Sequence, residues 1–414
     1  MVKFRRYDHA RDQAAVHRIW QEVGWIEDDE KQKAAMDDFV GCARALVAEV
    51  RGEAECLALM TSGAMQYLDE ELPFAGVTGV TTSRVARKQN LAGRLTAQLL
   101  AEEAAAGTLV AGLGMFEQGF YDKLGFGCGP YEHWISFDPA QLRIKQRPRV
   151  PQRITQEDWQ IVHASRLARW RGHAAVNLTP PELTRGEMAA GKGVFGLGYF
   201  DGPDGALTHH LWMSGSDKEH GPYSVWWMSY QTGAHLLELL ALLRSFGDQV
   251  RQVSLREPPG VQVQDLLQQP FRFRQLTRKS EFENRNQATA YWQARILDLP
   301  GCLARTRLPG PSSLRFNLRL SDPIAAYLPD GASWRGVGGE YVVTLGPESS
   351  AAPGSEVALP TLEASVNAFT RLWLGACPAR GLAITSALAG PATLLEALEA
   401  RLACLPRPAF DWDF

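Results

Sequence analysis

The chain has no uninterrupted apolar run long enough to span a bilayer, and its first residues, Met1-Val2-Lys3-Phe4-Arg5-Arg6-Tyr7-Asp8, lack the apolar segment of a secretory leader. The expectation is a cytoplasmic protein with no membrane partner. It has no excess of one charge: 43 basic residues against 46 acidic ones leave a net charge of −3, and the basic runs are short, so nothing points to a nucleic-acid partner. Cysteines are few and scattered, at Cys42, Cys56, Cys128, Cys302, Cys377 and Cys404. None lies within four residues of another, which excludes a zinc knuckle or a paired-thiol redox motif and favours buried reduced thiols. The nine histidines form no metal constellation either. His209 and His210 are adjacent, and in a strand their rings would face opposite sides. No metal is expected.

Two catalytic signatures fail on inspection. Gly186-Glu187-Met188-Ala189-Ala190-Gly191-Lys192-Gly193 nearly matches a phosphate loop, but Gly193 stands where a hydroxyl must bind magnesium. It also follows helix-like sequence and precedes a strand, Val194 to Phe200, the reverse of the required context. No Gly-x-Ser-x-Gly elbow exists, so an esterase would lack its nucleophile. The twelve tryptophans read as core and interface residues. With 414 residues, 45% of them hydrophobic and 21% charged, the chain is a globular protein of two or three domains.

What is present is concentrated in two stretches. The first runs Val80-Thr81-Thr82-Ser83-Arg84-Val85-Ala86-Arg87-Lys88-Gln89-Asn90-Leu91-Ala92-Gly93-Arg94-Leu95. A β-branched run from Val77 to Thr82 has strand character. A basic loop with Arg84, Arg87 and Lys88 follows, and then Leu91, Leu95 and Leu99 recur at the spacing of one helix face. A basic loop leading into a helix N-terminus is an anion-binding arrangement, because the first N–H groups lack partners and the dipole adds positive potential. The second stretch, Phe120-Tyr121-Asp122-Lys123-Leu124-Gly125-Phe126, comes after another apolar strand, Leu109 to Phe116.

Together these stretches resemble the acetyl-CoA site of the GCN5-related N-acetyltransferases (GNAT). That family carries Arg/Gln-x-x-Gly-x-Gly/Ala after its fourth strand and Tyr-x-x-x-Gly-Phe/Tyr after its fifth. Here the loop reads Arg87-Lys88-Gln89-Asn90-Leu91-Ala92. Asn90 stands where Gly is usual, and Asn is the residue other than Gly that most readily takes positive φ.

The resemblance implies a cofactor site. Backbone groups of Val80, Thr81 and Thr82 would pair with the pantetheine arm. Arg87, Lys88 and the N–H groups of Gln89, Asn90, Leu91, Ala92 and Gly93 would take the pyrophosphate, and Phe116 and Glu117 would lie beside the arm. Tyr121 would be the general acid, since a hydroxyl with a reference pKa of about 10 is protonated at neutral pH. The other reading of Tyr121 is packing against Phe120 and Phe126.

Along the chain, residues 1–148 read as the first domain. It has a helix from Arg11 to Val23 and apolar strands, and is closed by a strand from Tyr131 to Phe137. Arg143 to Arg153, with Pro148 and Pro151, reads as a linker. Residues 149–285 repeat the strand–helix–strand order at Tyr223–Tyr230, His235–Phe246 and Val250–Leu255, with Thr232 as candidate N-cap and no charge in the loop. That is either a second acetyltransferase-like fold without a cofactor site or a divergent lobe.

Residues 286–414 open with Ala294-Arg295-Ile296-Leu297-Asp298-Leu299-Pro300, continue as α+β and end on aromatics. They resemble the sterol-carrier-like domain that closes the enhanced intracellular survival (Eis) family. The expected fold class is thus α/β with an α+β end: two GNAT-like domains in tandem and a sterol-carrier-like third. The resemblance also implies a homohexamer.

The tail Phe410-Asp411-Trp412-Asp413-Phe414 alternates aromatics with acids, so an extended tail would bury one face and present acid on the other. In Eis-like enzymes the terminal carboxylate accepts the amine's proton or attracts the amine. Phe414 is therefore a catalytic candidate, Asp413 an addition to its charge, and a purely structural anchor the alternative. Glu27-Asp28-Asp29-Glu30 follows Trp20 and Trp25. Trp25 and Asp28 are candidates for an acidic, aromatic rim that suits polycationic amines, although Glu30 at least reads as a solvated helix start. The expected activity is acetyl-CoA-dependent acetylation of small polyamines or aminoglycosides. The rivals are a protein-lysine acetyltransferase and a lipid-binding scaffold.

Overall fold

A computed structural model describes residues 2–115, 117–270 and 281–414. The chain forms two compact units. One comprises Met1–Pro130, Gly172–Pro180 and Ala290–Phe414, the other Tyr131–Arg171 and Pro181–Thr289.

The first unit is built on an eight-stranded sheet. Its leading strands are β1 (Val2–Arg6), β2 (Arg44–Val50), β3 (Glu53–Tyr67), β4 (Glu70–Thr82) and β5 (Val110–Gly114), in that spatial order. All neighbours among them are antiparallel except β4 and β5, which run parallel. Helix α1 (His9–Glu22) buries Ala15, Val16, Ile19 and Trp20. Helix α2 (Glu30–Cys42) starts at Asp29, whose side chain accepts the Gln32 N–H at 2.9 Å. These two helices pack with Val47, Leu57 and Leu59 on one sheet face. Helix α3 (Leu91–Ala105) covers the opposite face, where Leu91, Leu95 and Leu99 join Cys56, Ala58, Met60, Ala75, Val77, Ala111 and Leu113. The spacing of four that marked this helix in the sequence is thus its buried stripe.

The third segment adds a five-stranded sheet to the same unit, with Leu314–Ser321 at its centre. Ile324 and Leu328 from this segment are buried in the core of α3, and Tyr327 and Trp334 pack against it.

The second unit holds a seven-stranded sheet. Tyr223–Ser229 and Val253–Arg256 pair parallel across helix Gly233–Ser245, which Thr232 caps by accepting the His235 N–H. This repeats the β4–α3–β5 arrangement, so the chain carries tandem GNAT-like folds. His209 and His210 do face opposite sides of their strand: one meets Glu238, the other Ser165 and Trp227.

Compactness divides the chain differently from the segments 1–148, 149–285 and 286–414. The strand expected to close the first domain, found as Glu132–Phe137, lies in the second sheet between Val253–Arg256 and Arg285–Thr289. The stretch Ala294 to Pro300, expected to open the third domain, begins within a strand, Trp292–Ile296, that pairs instead with β5 and with Gly127–Cys128. Val176–Leu178 leaves the second segment to pair with β3. The physical reason is hydrogen bonding. A strand joins whichever open edge can satisfy its backbone, and that edge need not be near in sequence.

Candidate functional site

β4 and β5 pair only at Phe74–Val110, Ala75–Ala111 and Gly76–Gly112. Beyond that they separate. Gly79 adopts φ +60°, in the region where β4 and β3 slip register at Leu57–Leu59, and this bends β4 away. Among the described residues no strand therefore lies beside one backbone edge of Val77 to Thr82, the feature a linear polar chain needs in order to pair as a strand would. Of the candidate residues here, Thr81 is buried, while Val80 and Thr82 are half-buried. The Thr82 hydroxyl lies 3.1 Å from the Cys56 thiol, and burial pushes that thiol up to about 12.

After β4 the chain turns through Arg84–Ala86 and reaches the start of α3. Arg87, Lys88, Gln89 and Asn90 are all exposed. Lys88 and Asn90 adopt φ +61° and +59°, so Asn90 does take the left-handed conformation that its place in the motif requires. Gly93 has a packing reason: a Cβ there would come within 2.8 Å of the Asn90 side-chain oxygen and 3.1 Å of the Tyr327 ring. Leu91 points into the core and Ala92 is half-buried, so both offer backbone only. The free N–H groups of this helix start, beside two exposed cations, form an arrangement that can hold phosphate.

Tyr121 opens a tight turn, Tyr121–Leu124, closed by Gly125 at φ +85°. It packs on the α3 side, with Phe120 at 4.8 Å and Phe126 at 6.0 Å between ring centres. Burial pushes its hydroxyl up to about 12, and Cys56 adds to the shift. It is therefore protonated throughout the neutral range.

Residues that the sequence reading did not single out hold this turn. Gln293 donates to the Asp122 carboxylate at 2.6 Å. Asn367 donates to the carbonyls of Asp122 and Phe126 at 2.9 and 2.8 Å. Arg295 donates to the Leu124 carbonyl and pairs with Asp322 at 2.7 Å, both side chains fully enclosed. The one available signal was Arg295 itself, a charged residue inside the apolar run Ala294 to Leu297, since such a residue is buried only when paired.

The C-terminal tail lies on the other sheet face. Ala75, Val77, Ala111 and Leu113 point into the α3 core, so Gly76, Gly112 and Gly114 present the opposite side. A Cβ on Gly112 would meet the Phe410 ring at 2.4 Å, and one on Gly76 would meet the Phe414 ring at 2.8 Å. One on Gly114 would stand 3.1 Å from the Phe414 main-chain oxygen. The Phe414 main-chain oxygen is thus at the end of β5, beside the separated strands. Phe410 stacks on Trp292 at 4.1 Å, and Phe74 meets Phe410 and Phe414 edge-on at 5.5 and 6.0 Å. Main-chain bonds Ala409 N–H to His173 O and Val176 N–H to Phe410 O fasten the tail to residues 172–180.

The tail is not the simple extended strand expected. Asp411 adopts φ +50°, which kinks it, yet Phe410 and Trp412 are buried, Phe414 is half-buried and Asp413 is exposed.

Trp25 is 47% exposed. Asp28 is held by Lys33, whose hydrogen bond and charge keep the carboxyl below its usual range, and Lys33 also takes Glu30. Lys33 thus pairs with two of the four acids of the run. Glu117 is exposed just beyond β5, and Phe116 lies outside the described residues. Among the described residues no group of His, Cys, Asp and Glu could hold a metal, and no helix is long and apolar enough to cross a membrane. A cavity of about 900 Å³ in the second unit, floored by Phe195, Leu197 and Tyr223, contains none of the candidate residues.

Residues 5–129 match the acetyltransferase (GNAT) domain family, a span that ends beside the unit boundary at Pro130. No curated protein sequence matches the chain. Among solved structures, a probable N-acyltransferase from Enterococcus faecalis superposes with a TM-score of 0.79 at 15% identity. A GCN5-related N-acetyltransferase from Anabaena variabilis gives 0.76 at 13%, and Eis1 from Mycobacterium abscessus 0.72 at 15%. Each match covers 100% of both chains, and at these identities the likeness is one of fold.

Proposed function

We propose that the protein, whose residues 5–129 match the acetyltransferase (GNAT) domain family, is an acetyltransferase that transfers acetyl from acetyl-CoA to amino groups of small cationic acceptors, of polyamine or aminoglycoside type, by direct attack in a ternary complex. The observation that carries this reading is the strand fork, with a protonated Tyr121 on the α3 side and the Phe414 ring and main-chain oxygen on the other.

The residues fit the co-substrate. The unpaired edge of Val77 to Thr82 suits the amides of a pantetheine arm, and Arg87, Lys88 and the N–H groups from Gln89 to Gly93 suit a pyrophosphate. Acetyl-CoA supplies an activated thioester. The protein's part is to position it, to hold a proton on the Tyr121 oxygen for a departing thiolate, and to place an anion near the amine. A terminal carboxylate has a reference pKa of about 3.5, so it acts by attracting the ammonium group or by accepting its proton through water. Asp413 adds to the field at the tail.

A hexameric assembly, a cytoplasmic location and a sterol-carrier-like fold for residues 286–414 belong to the same proposal. The test is thiol release from acetyl-CoA with a panel of diamines, polyamines and aminoglycosides, with acetyl-CoA affinity measured by calorimetry. Release that depends on the amine supports the reading. Tight acetyl-CoA binding with no release for any small amine overturns the acceptor class and directs the search to protein lysines.

A further inference from the structure

In the second unit, helix Gly233–Ser245 runs back along the strand that precedes it, so its C-terminal end comes level with Tyr223, the first residue of that strand. Between the helix end and the sheet lies the cavity of about 900 Å³. Residues 153–157 and 194–197 line it from the sheet side, and 245–250 from the helix side. Arg153 pairs with Leu197 where the edge strand Gln152–Ile154 joins the sheet, so the two side chains share one face, and Phe195 is on it too. Phe195, Leu197, Tyr223 and Phe246 are half-buried, packed on their inner sides against the core of the unit. The Tyr223 ring lies 5.5 Å from Phe195 and 6.2 Å from Phe246, and its hydroxyl donates to the Lys218 carbonyl at 2.7 Å. The floor of the cavity is thus three rings and a leucine, and its volume is that of pockets which enclose a whole small ligand.

The rim is charged. Arg153, Glu157 and Asp248 line the cavity and are exposed. Among the described residues none of the three side chains has an ion pair or a hydrogen bond. Their neighbours in the chain are engaged: Arg149 pairs with Asp201 and Glu238, and Asp158 accepts the Thr155 N–H at 2.7 Å. Asp248 also stands just past the end of the helix, whose partial negative charge adds to its own. The sheet side therefore offers a guanidinium in a position to take a carboxylate, and the helix side offers an anion in a position to take an ammonium group.

An apolar floor between unpaired charges of opposite sign selects an apolar ligand with a negative end and a positive end. A fatty acid satisfies Arg153 and leaves the acids unmatched, and an apolar amine does the reverse. A single amino acid carries both charges on one carbon, whereas Arg153 and Asp248 belong to opposite walls. We propose that this cavity is a binding site for a short apolar peptide with free ends. Its side chains lie on Phe195, Leu197, Tyr223 and Phe246, its carboxylate on Arg153 and its ammonium group on Asp248, with Glu157 as the second acid of the rim. The site shares no residue with the strand fork, and the proposal does not depend on the acetyltransferase reading.

Four dipeptides test it by calorimetry on the full-length protein without acetyl-CoA: Leu-Phe, its amide, its N-acetyl derivative, and Gly-Gly. Leu-Phe is expected to bind with a dissociation constant of about 0.1–1 mM. Blocking either end is expected to weaken binding about fivefold, the upper range for an exposed ion pair. Gly-Gly, which has both ends and no apolar side chain, is expected to show no saturable binding. In Arg153→Gln, Leu-Phe binds no better than its amide. In the double variant Asp248→Asn, Glu157→Gln, it binds no better than its N-acetyl derivative. All three positions are exposed, so melting temperatures stay as in the wild type. No saturable binding of Leu-Phe up to about 10 mM overturns the proposal. Equal binding of free and blocked peptides by the wild type overturns it as well. So do end preferences that persist in the variants, since the peptide is then held elsewhere, for example as an amine at the strand fork.

Discussion

At the scale of single residues, Tyr121 illustrates how burial suits a side chain to a task. Raised to about 12, its hydroxyl keeps its proton across the working range. If it donates that proton to the departing thiolate, Tyr121→Phe lowers kcat by about 10²- to 10⁴-fold with little change in acetyl-CoA affinity. Steady-state rates and calorimetry on one preparation check this, and an unchanged kcat with chemistry rate-limiting refutes it. The pH dependence has a definite sign. A folded-state value above the ordinary 10 means that the protonated form is favoured by the fold. Its contribution to stability is complete below about pH 10 and is lost as pH rises toward about 12. Any alkaline loss of kcat that belongs to Tyr121 therefore begins above pH 10, and a profile falling between pH 7 and 10 reports another group. The basic loop makes a separate prediction. Replacing Arg87 and Lys88 together by Ala weakens acetyl-CoA binding and flattens its salt dependence, because charge-assisted phosphate contacts go with them.

At the scale of elements, the tail and the Tyr121 turn are each held from a distance. Gly76, Gly112 and Gly114 clear a path for the tail, so Gly112→Ala, which places a methyl into the Phe410 ring, lifts the tail from its seat. The expected outcome is faster proteolysis at residues 405–414 and a large fall in kcat. A short extension after Phe414 replaces the carboxylate with a peptide bond and keeps the rings in place. It is expected to cripple turnover while leaving melting temperature and acetyl-CoA affinity as they were, and equal turnover in extended and unextended protein would make the tail an anchor only. For the turn, Asn367→Ala removes two donors to the Asp122 and Phe126 carbonyls and is expected to lower kcat more than acetyl-CoA affinity. Arg295→Met is a harsher change. It strands the buried Asp322 carboxylate, and loss of one partner of such a pair costs about 3–5 kcal/mol, readable as a shift in the denaturation midpoint.

At the scale of the whole molecule, the first unit closes only with residues from all three sequence segments. Val176–Leu178 extends its sheet at β3, Trp292–Ile296 at β5, and the last residues line its fork. Truncation at the expected boundary after residue 148 would remove those strands and the tail. A fragment of residues 1–148 is expected to expose apolar surface and aggregate, which light scattering of the isolated fragment checks. For the intact protein the proposed assembly is a hexamer, and a monomer mass by light scattering at micromolar concentration contradicts it.

What the sequence determined by itself is local. The Leu91–Leu95–Leu99 stripe, the basic loop before it, the left-handed Asn90 and the tight turn from Tyr121 to Gly125 are all properties of a few consecutive residues, because helix periodicity, capping and positive φ are set by neighbours in the chain. The composition and spacing of the tail likewise announced a buried terminus. Its kink at Asp411 was not legible, since a φ of +50° at that residue is imposed by the surface it lies on. The tertiary structure alone decided which strands complete which sheet, because an open strand edge accepts any chain that satisfies its hydrogen bonds, whatever the separation in sequence. It also decided that Gln293, Arg295 and Asn367 clamp the turn that begins at Tyr121, at separations of more than 160 residues, and that Lys33 pairs with Asp28 and Glu30. Pairing of charges and donors depends on distance in space, and no periodicity in the sequence encodes that distance.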